Sequence, residues 1–112
     1  MVNFIQENIN YKESNLLYNF IINNDIKDSE TFFNTNIIEK NYYIIKFFLE
    51  NGYDKFKNDK ELSLFLAIKN NDIEIIKLLY QYGSNIHIDN NSPLNYAVDL
   101  RNYTIATYLL NN

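Results

Sequence analysis

The chain has 112 residues, 46% of them apolar, which suits one domain with a packed core and argues against disorder. It contains no cysteine, which excludes a disulfide framework, a thiolate metal site and a cysteine nucleophile. Ten Lys and Arg are scattered among fourteen Asp and Glu, and the net charge of -4 with a pI near 4.8 speaks against nucleic acid or a charged membrane surface as partner.

The start, MVNFIQENINYKE, lacks the basic flank and long apolar centre of a signal peptide. No apolar run approaches the roughly 20 residues that span a bilayer. An intracellular, soluble protein is expected. Phe4, Ile5 and Ile9 fall on one side of a helix if one forms there. Ser14 suits a helix N-cap ahead of Leu16, Leu17, Phe20 and Ile21, and that helix should end at Asn23-Asn24-Asp25. Asp28 or Ser29 can cap the next helix, which carries Phe32, Phe33, Ile37 and Ile38 and breaks at Lys40-Asn41. Ile44, Ile45, Phe47, Phe48 and Leu49 then make a broad apolar face that stops at Asn51-Gly52, where glycine suits the left-handed residue past a helix end. Tyr53 to Lys60 reads as a polar loop.

The stretch from Leu62 to Asp89 holds two helices. Leu62, Leu64, Phe65, Leu66 and Ala67 lie in the first, Ile75, Ile76, Leu78, Leu79 and Tyr80 in the second, and Gly83 closes the unit. Ser84 to Asn91 reads as another loop. Ser92-Pro93 opens the last pair with an N-cap serine and a proline at the first helical position, where its missing N–H costs nothing. Leu94, Ala97 and Val98 are expected to face inward, and after a break near Arg101-Asn102 the residues Ile105, Ala106, Leu109 and Leu110 renew the second-helix face.

These pairs overlay. Superposed on their stops, Leu17, Ile44, Ile75 and Ile105 share a slot, as do Ile21, Phe48, Leu79 and Leu109, and the stops are 27 residues apart from Asp25 to Gly52 and 31 from Gly52 to Gly83. Periods in this range belong to solenoids, in which each helical pair buries its apolar faces against its neighbours.

The sequence resembles the ankyrin repeat family. Its Thr-Pro-Leu-His-x-Ala signature stands here as Ser92-Pro93-Leu94-Asn95-Tyr96-Ala97 and more loosely as Leu62-Ser63-Leu64-Phe65-Leu66-Ala67. The second-helix pattern is matched by Asn71 to Leu79 and by Asn41 to Leu49. Asn95 stands where the family's histidine would tie down the Ser92 cap. Asn36 departs from the pattern in the alanine slot, Leu62 replaces the capping threonine, and the fingers are shorter than those of a 33-residue unit. The resemblance implies an all-α solenoid of about four stacked helix-turn-helix units with short hairpin or loop fingers. Residues 1–112 form one domain in this reading: 1–25 a degenerate capping unit, 26–58 a repeat, 59–89 the best-preserved repeat and 90–112 a C-terminal repeat that is either terminal or truncated.

No catalytic constellation is visible. His87 is the only histidine, and a metal site needs several converging ligands. Asp72 reads as a cap and Glu74 as an exposed helix residue rather than as an acid–base pair. Of the ten tyrosines, Tyr80 and Tyr108 take core slots, while Tyr42, Tyr43, Tyr53, Tyr82 and Tyr103 are expected to be at least partly exposed.

The resemblance further implies a non-enzymatic protein–protein interaction module without cofactor, a monomer that binds a protein partner on its concave side. The finger positions carried over are Lys57, Asn58, Lys60, Ile88, Asn90 and Asn91; the first-helix positions are Glu39, Lys69, Asn70, Asp99 and Leu100. Leu100 and Ile88, if exposed, are the two that solvation alone does not explain. Alternatives are a substrate-recruiting or regulatory segment of a larger enzyme, such as a ubiquitin-ligase adaptor, and a scaffold that self-associates through its ends. The AT-rich style of the composition resembles ankyrin chains of large DNA viruses and intracellular bacteria, for which a host-adaptor role in the host cytoplasm is implied.

Overall fold

The computed structural model describes residues 29–57 and 61–112. The expected helices at Phe4–Ile9 and Leu16–Ile21, the Ser14 cap, the capping unit 1–25 and the finger residues Asn58 and Lys60 lie outside the described residues. The chain divides into two compact units, Met1–Asp54 and Lys55–Asn112. The described residues are helical without strands: α1 (Ser29–Ile38), α2 (Tyr42–Glu50), a 3-10 turn (Lys55–Lys57), α3 (Leu62–Lys69), α4 (Ile73–Gln81), α5 (Ile88–Asp99) and α6 (Tyr103–Asn111). The fingers therefore form loops and turns, and the hairpin alternative does not occur among these residues.

The three pairs α1–α2, α3–α4 and α5–α6 share one turn chemistry. The first helix of each ends on a left-handed residue, Lys40, Asn71 or Arg101. Its N–H donates to the carbonyl of Ile37, Ile68 or Val98, and the next N–H, from Asn41, Asp72 or Asn102, donates to that of Asn36, Ala67 or Ala97. This is the Schellman arrangement, which satisfies the orphan carbonyls of the helix end. The residue that completes it is also the N-cap of the second helix, so the two helices share a joint with no linker. The second helices close in the same way at Gly52 and Gly83, whose φ values of 93° and 103° favour glycine.

Three of these five left-handed positions carry a side chain, which costs about 1–2 kcal/mol at such a φ. Arg101→Gly is expected to raise the unfolding free energy by about 0.5–1 kcal/mol, the relief of strain exceeding glycine's extra chain entropy and the loss of one exposed charge at a helix terminus. A lowered urea midpoint for this variant would show that Arg101 makes a compensating interaction.

In the unit that ends at Asp54, the core is aromatic. Phe33, Ile37, Ile45, Phe47, Phe48 and Leu49 are buried, and Tyr53, expected in an exposed loop, is buried with them. Its ring sits 4.6 Å from that of Phe33 and 5.5 Å from that of Phe48. The reason is local: Tyr53 follows Gly52, and its N–H donates to Phe48 O, which turns the chain back over the helix. Asn36, the polar residue in the alanine slot, is satisfied although buried. Its Nδ2 donates to Phe32 O at 2.9 Å and its Oδ1 accepts from Asn41 Nδ2 at 2.8 Å.

In the unit from Lys55 onward, Leu64, Ala67 and Ile68 of α3 pack with Ile75, Ile76 and Leu79 of α4, and α3 packs in turn on α5. The buried Ala97, Ile105 and Leu109 fill the last pair. Each loop contributes one apolar anchor, Phe56 in the 3-10 turn and Ile86 after Gly83, both buried. The exposed pair Lys77–Glu74 at 3.7 Å lends little stability.

Four apolar residues differ from expectation. Val98 is 47% and Leu110 69% exposed, whereas Ile68, the equivalent of Val98 in the preceding pair, is fully buried. Tyr80 is also exposed rather than core, standing edge-on to Tyr108 at 6.4 Å. Partial burial, and secondarily the neighbouring Tyr80, hold the Tyr108 phenol above its ordinary 10.0. Ile38, placed on the apolar face of its helix, is 53% exposed because it falls in the last turn of α1, next to the Lys40 stop.

Candidate functional site

The candidate surface is built from two kinds of position: the C-terminal turns of the first helices and the loops that lead into them. Counting from the small buried slot (Asn36, Ala67, Ala97), the residue two places on is Ile38, Lys69 or Asp99 and the residue three places on is Glu39, Asn70 or Leu100. The small slot and the residue after it turn inward in α1 and α3, and the left-handed stop follows at four places. The two intervening positions are exposed apart from Asn70. Lys69, Asp99 and Glu39 are exposed, Asn70 is half-buried and Leu100 is 39% exposed.

Within the second unit the helix ends are tied together. Asn102, the joint of the last pair, donates from Nδ2 to Ile68 O in α3 at 2.9 Å across the repeat boundary. That bond ties the C-terminal end of α3 to the joint between α5 and α6.

The loop positions lie elsewhere. Asp89, Asn90 and Asn91 each have a positive φ, between 52° and 66°, a left-handed turn at the head of α5. Eight residues of helix separate it from Leu100, about 12 Å at 1.5 Å per residue. Asn90 and Asn91 are exposed, and Ile88 is half-buried with its N–H donating to Asn85 O. Of the two apolar residues singled out, Leu100 is thus the more available. Lys57 is exposed in the 3-10 turn, its Nζ 5.8 Å from the centre of the Phe56 ring. Glu39 belongs to the first unit, where its Oε1 faces Asn41 Nδ2 at 3.5 Å.

The loops are held by polar contacts that sequence reasoning missed. Glu61, left-handed at φ 63° and buried at the head of α3, accepts from Ser84 Oγ at 2.7 Å and from the N–H of Asn85 at 2.9 Å. The carboxylate so pins the loop after α4 to the start of α3. Ser92 does not take its expected place as a cap, since its hydroxyl donates to Asp89 O at 3.0 Å, and Asn95 is exposed. The left-handed turn brings the Asp89 carbonyl to that hydroxyl. His87 Nδ1 lies 2.7 Å from Asn91 Oδ1, an exposed contact within the turn. Among the described residues no three His, Asp or Glu side chains converge as a metal ion requires, and no helix is long and apolar enough to cross a membrane. The missed outward position Ile38 had a signal: it shares the overlay register of Lys69 and Asp99.

Three helical pairs joined by one repeated turn, with outward positions recurring in register, define a helical repeat protein. The family model described as ankyrin repeats (3 copies) matches residues 33–112. The chain belongs to the ankyrin repeat family, whose repeats serve generally as protein–protein interaction modules. An ankyrin repeat protein of Acanthamoeba polyphaga mimivirus is 36% identical over 77 residues, covering 63% of this chain and 10% of that relative. The chain thus spans a small part of the length of the relative it matches. No solved structure matches it significantly.

Proposed function

We propose that the chain is a non-enzymatic binding module that docks a partner protein through the surface that carries Lys69, Asn70, Asp99 and Leu100, with the loop residues Lys57, Ile88, Asn90 and Asn91 and, in the first unit, Glu39, as further contacts. The observation that carries this reading is the recurrence of outward side chains in one register beside the buried Ala67 and Ala97. Repeat packing explains the buried neighbours Ala67, Ile68 and Ala97, whereas Lys69, Asp99 and Leu100 are exposed. Leu100 is the expected anchor, because an exposed leucine at a helix end gains most from desolvation by a partner, at about 25 cal/mol per Å² of apolar area buried. Lys69 and Asp99, one of each sign, set orientation and encounter rate more than affinity.

The test is a triple variant, Lys69→Glu, Asp99→Lys and Leu100→Arg, used beside the unaltered chain to capture proteins from a cell lysate. Partners retained by the unaltered chain are expected to be lost, with the melting temperature kept because all three positions are exposed. A partner set that survives the triple change would place the binding face elsewhere.

A further inference from the structure

The sequence holds two glycines, and only Gly52 follows an asparagine. An Asn-Gly step is chemically special because glycine has no Cβ to keep its backbone nitrogen from the preceding side chain. The nitrogen loses its proton and bonds to the asparagine Cγ while the Cγ–Nδ2 bond breaks and Nδ2 leaves as ammonia. The resulting five-membered imide adds water across either of its two C–N bonds and opens to aspartate or to isoaspartate. Nothing is oxidised or reduced, and water is the only co-reactant.

The structure holds both reacting groups of this step. The N–H of Gly52 donates to Leu49 O at 3.1 Å, and Asn51 Nδ2 donates to Phe47 O at 2.8 Å. The nucleophile's proton and the leaving amide are thus both bound by carbonyls of α2. Asn51 itself is the C-cap, with φ -97° and ψ 13°, fixed by its own N–H on Phe47 O and Phe48 O. Solvent reaches the site, since Gly52 is exposed and a Cβ placed on it would meet no atom within 4 Å.

We propose that Asn51–Gly52 is a spontaneous deamidation site that the cap of α2 keeps latent, and that the reaction, once it occurs, breaks the cap for good. Aspartate at position 51 has no proton to give Phe47 O and sets a negative charge against the carbonyl end of the helix, where anions are unfavourable. Isoaspartate inserts an additional backbone atom and takes Gly52 and Tyr53 out of register with Leu49 O and Phe48 O. Tyr53 is the residue seated on Phe33 and Phe48, so the damage passes from the cap to the aromatic core. A transient opening of the helix end is thereby converted into a permanent loosening of this unit.

The experiment incubates the full chain in mildly alkaline buffer, folded and in denaturing urea, and follows the peptide containing Asn51 by mass spectrometry with separation of the aspartate and isoaspartate forms. Conversion in the folded chain is expected to be slower by about tenfold or more, because it requires local opening. Equal rates, or another asparagine reacting first in urea, would overturn the assignment. In parallel, Asn51→Asp is expected to lower the melting temperature by about 4–8 °C. An unchanged melting temperature would overturn the claim that the product breaks the cap.

Discussion

Replacing Phe48 by alanine is expected to lower the unfolding free energy by about 3–5 kcal/mol, a large part of the 5–15 kcal/mol that holds a domain of ordinary stability together. Phe48 is fully buried and, among the described residues, touches the most rings: Phe32 at 5.6 Å, Phe33 at 6.0 Å, Phe47 at 6.1 Å and Tyr53 at 5.5 Å between centroids. Alanine removes the transfer energy of the ring and leaves a cavity whose walls are rigid aromatic faces, poorly suited to collapse. Urea unfolding should show a reduced midpoint with an unchanged slope. A loss smaller than about 1 kcal/mol would mean that the neighbouring rings close over the gap.

Glu61→Ala is the second large effect, an expected loss of about 2–3 kcal/mol. Two opposing contributions decide its sign. Removing the carboxylate relieves the desolvation of a buried charge, but it also ends two charge-assisted hydrogen bonds and strands the buried Ser84 hydroxyl. A bond to a charged group contributes about 1.5–3 kcal/mol, and an orphaned buried donor costs about 1–3 kcal/mol, so the loss outweighs the relief. Glu61→Gln should recover most of the stability, since its amide oxygen still accepts from one donor and its NH₂ can donate to the Ser84 hydroxyl. If alanine proved neutral, the carboxylate would contribute nothing net to the fold, and if it proved stabilising the buried charge would be a net burden.

Most of the helical architecture can be read from the sequence, because it depends on local properties. Ile44, Ile75 and Ile105 recur in register, Gly52 and Gly83 mark helix ends, and Asn41, Asp72 and Asn102 mark helix starts; together these suffice to place α2, α4 and α6. Burial is less legible, because it depends on a neighbour. Ile68 and Val98 occupy the same slot with similar chemistry, yet Ile68 is fully buried and Val98 is 47% exposed. The breaks expected at Lys40-Asn41 and near Arg101-Asn102 are real, but their left-handed conformation is one that Lys and Arg do not announce as a glycine would. Glu61 is hidden for the opposite reason: a lone carboxylate in a polar stretch reads as solvated, and only the return of Ser84 and Asn85 makes it a tether. For the candidate surface, the family resemblance points to Lys69, Asn70, Asp99 and Leu100. The Asn102 bond that ties the end of α3 to the joint between α5 and α6 is something no spacing rule contains.

The joint residue Asn102 has one further consequence. Its main-chain N–H closes α5 on Ala97 O while its side chain holds Ile68 O of the preceding pair. In the language of one-dimensional lattices it contributes both to the internal energy of one site and to the coupling between two adjacent sites. A single asparagine thereby links the formation of α5–α6 to the presence of α3–α4. Melting in this unit should therefore spread across both pairs as one cooperative step rather than peel away the last pair alone.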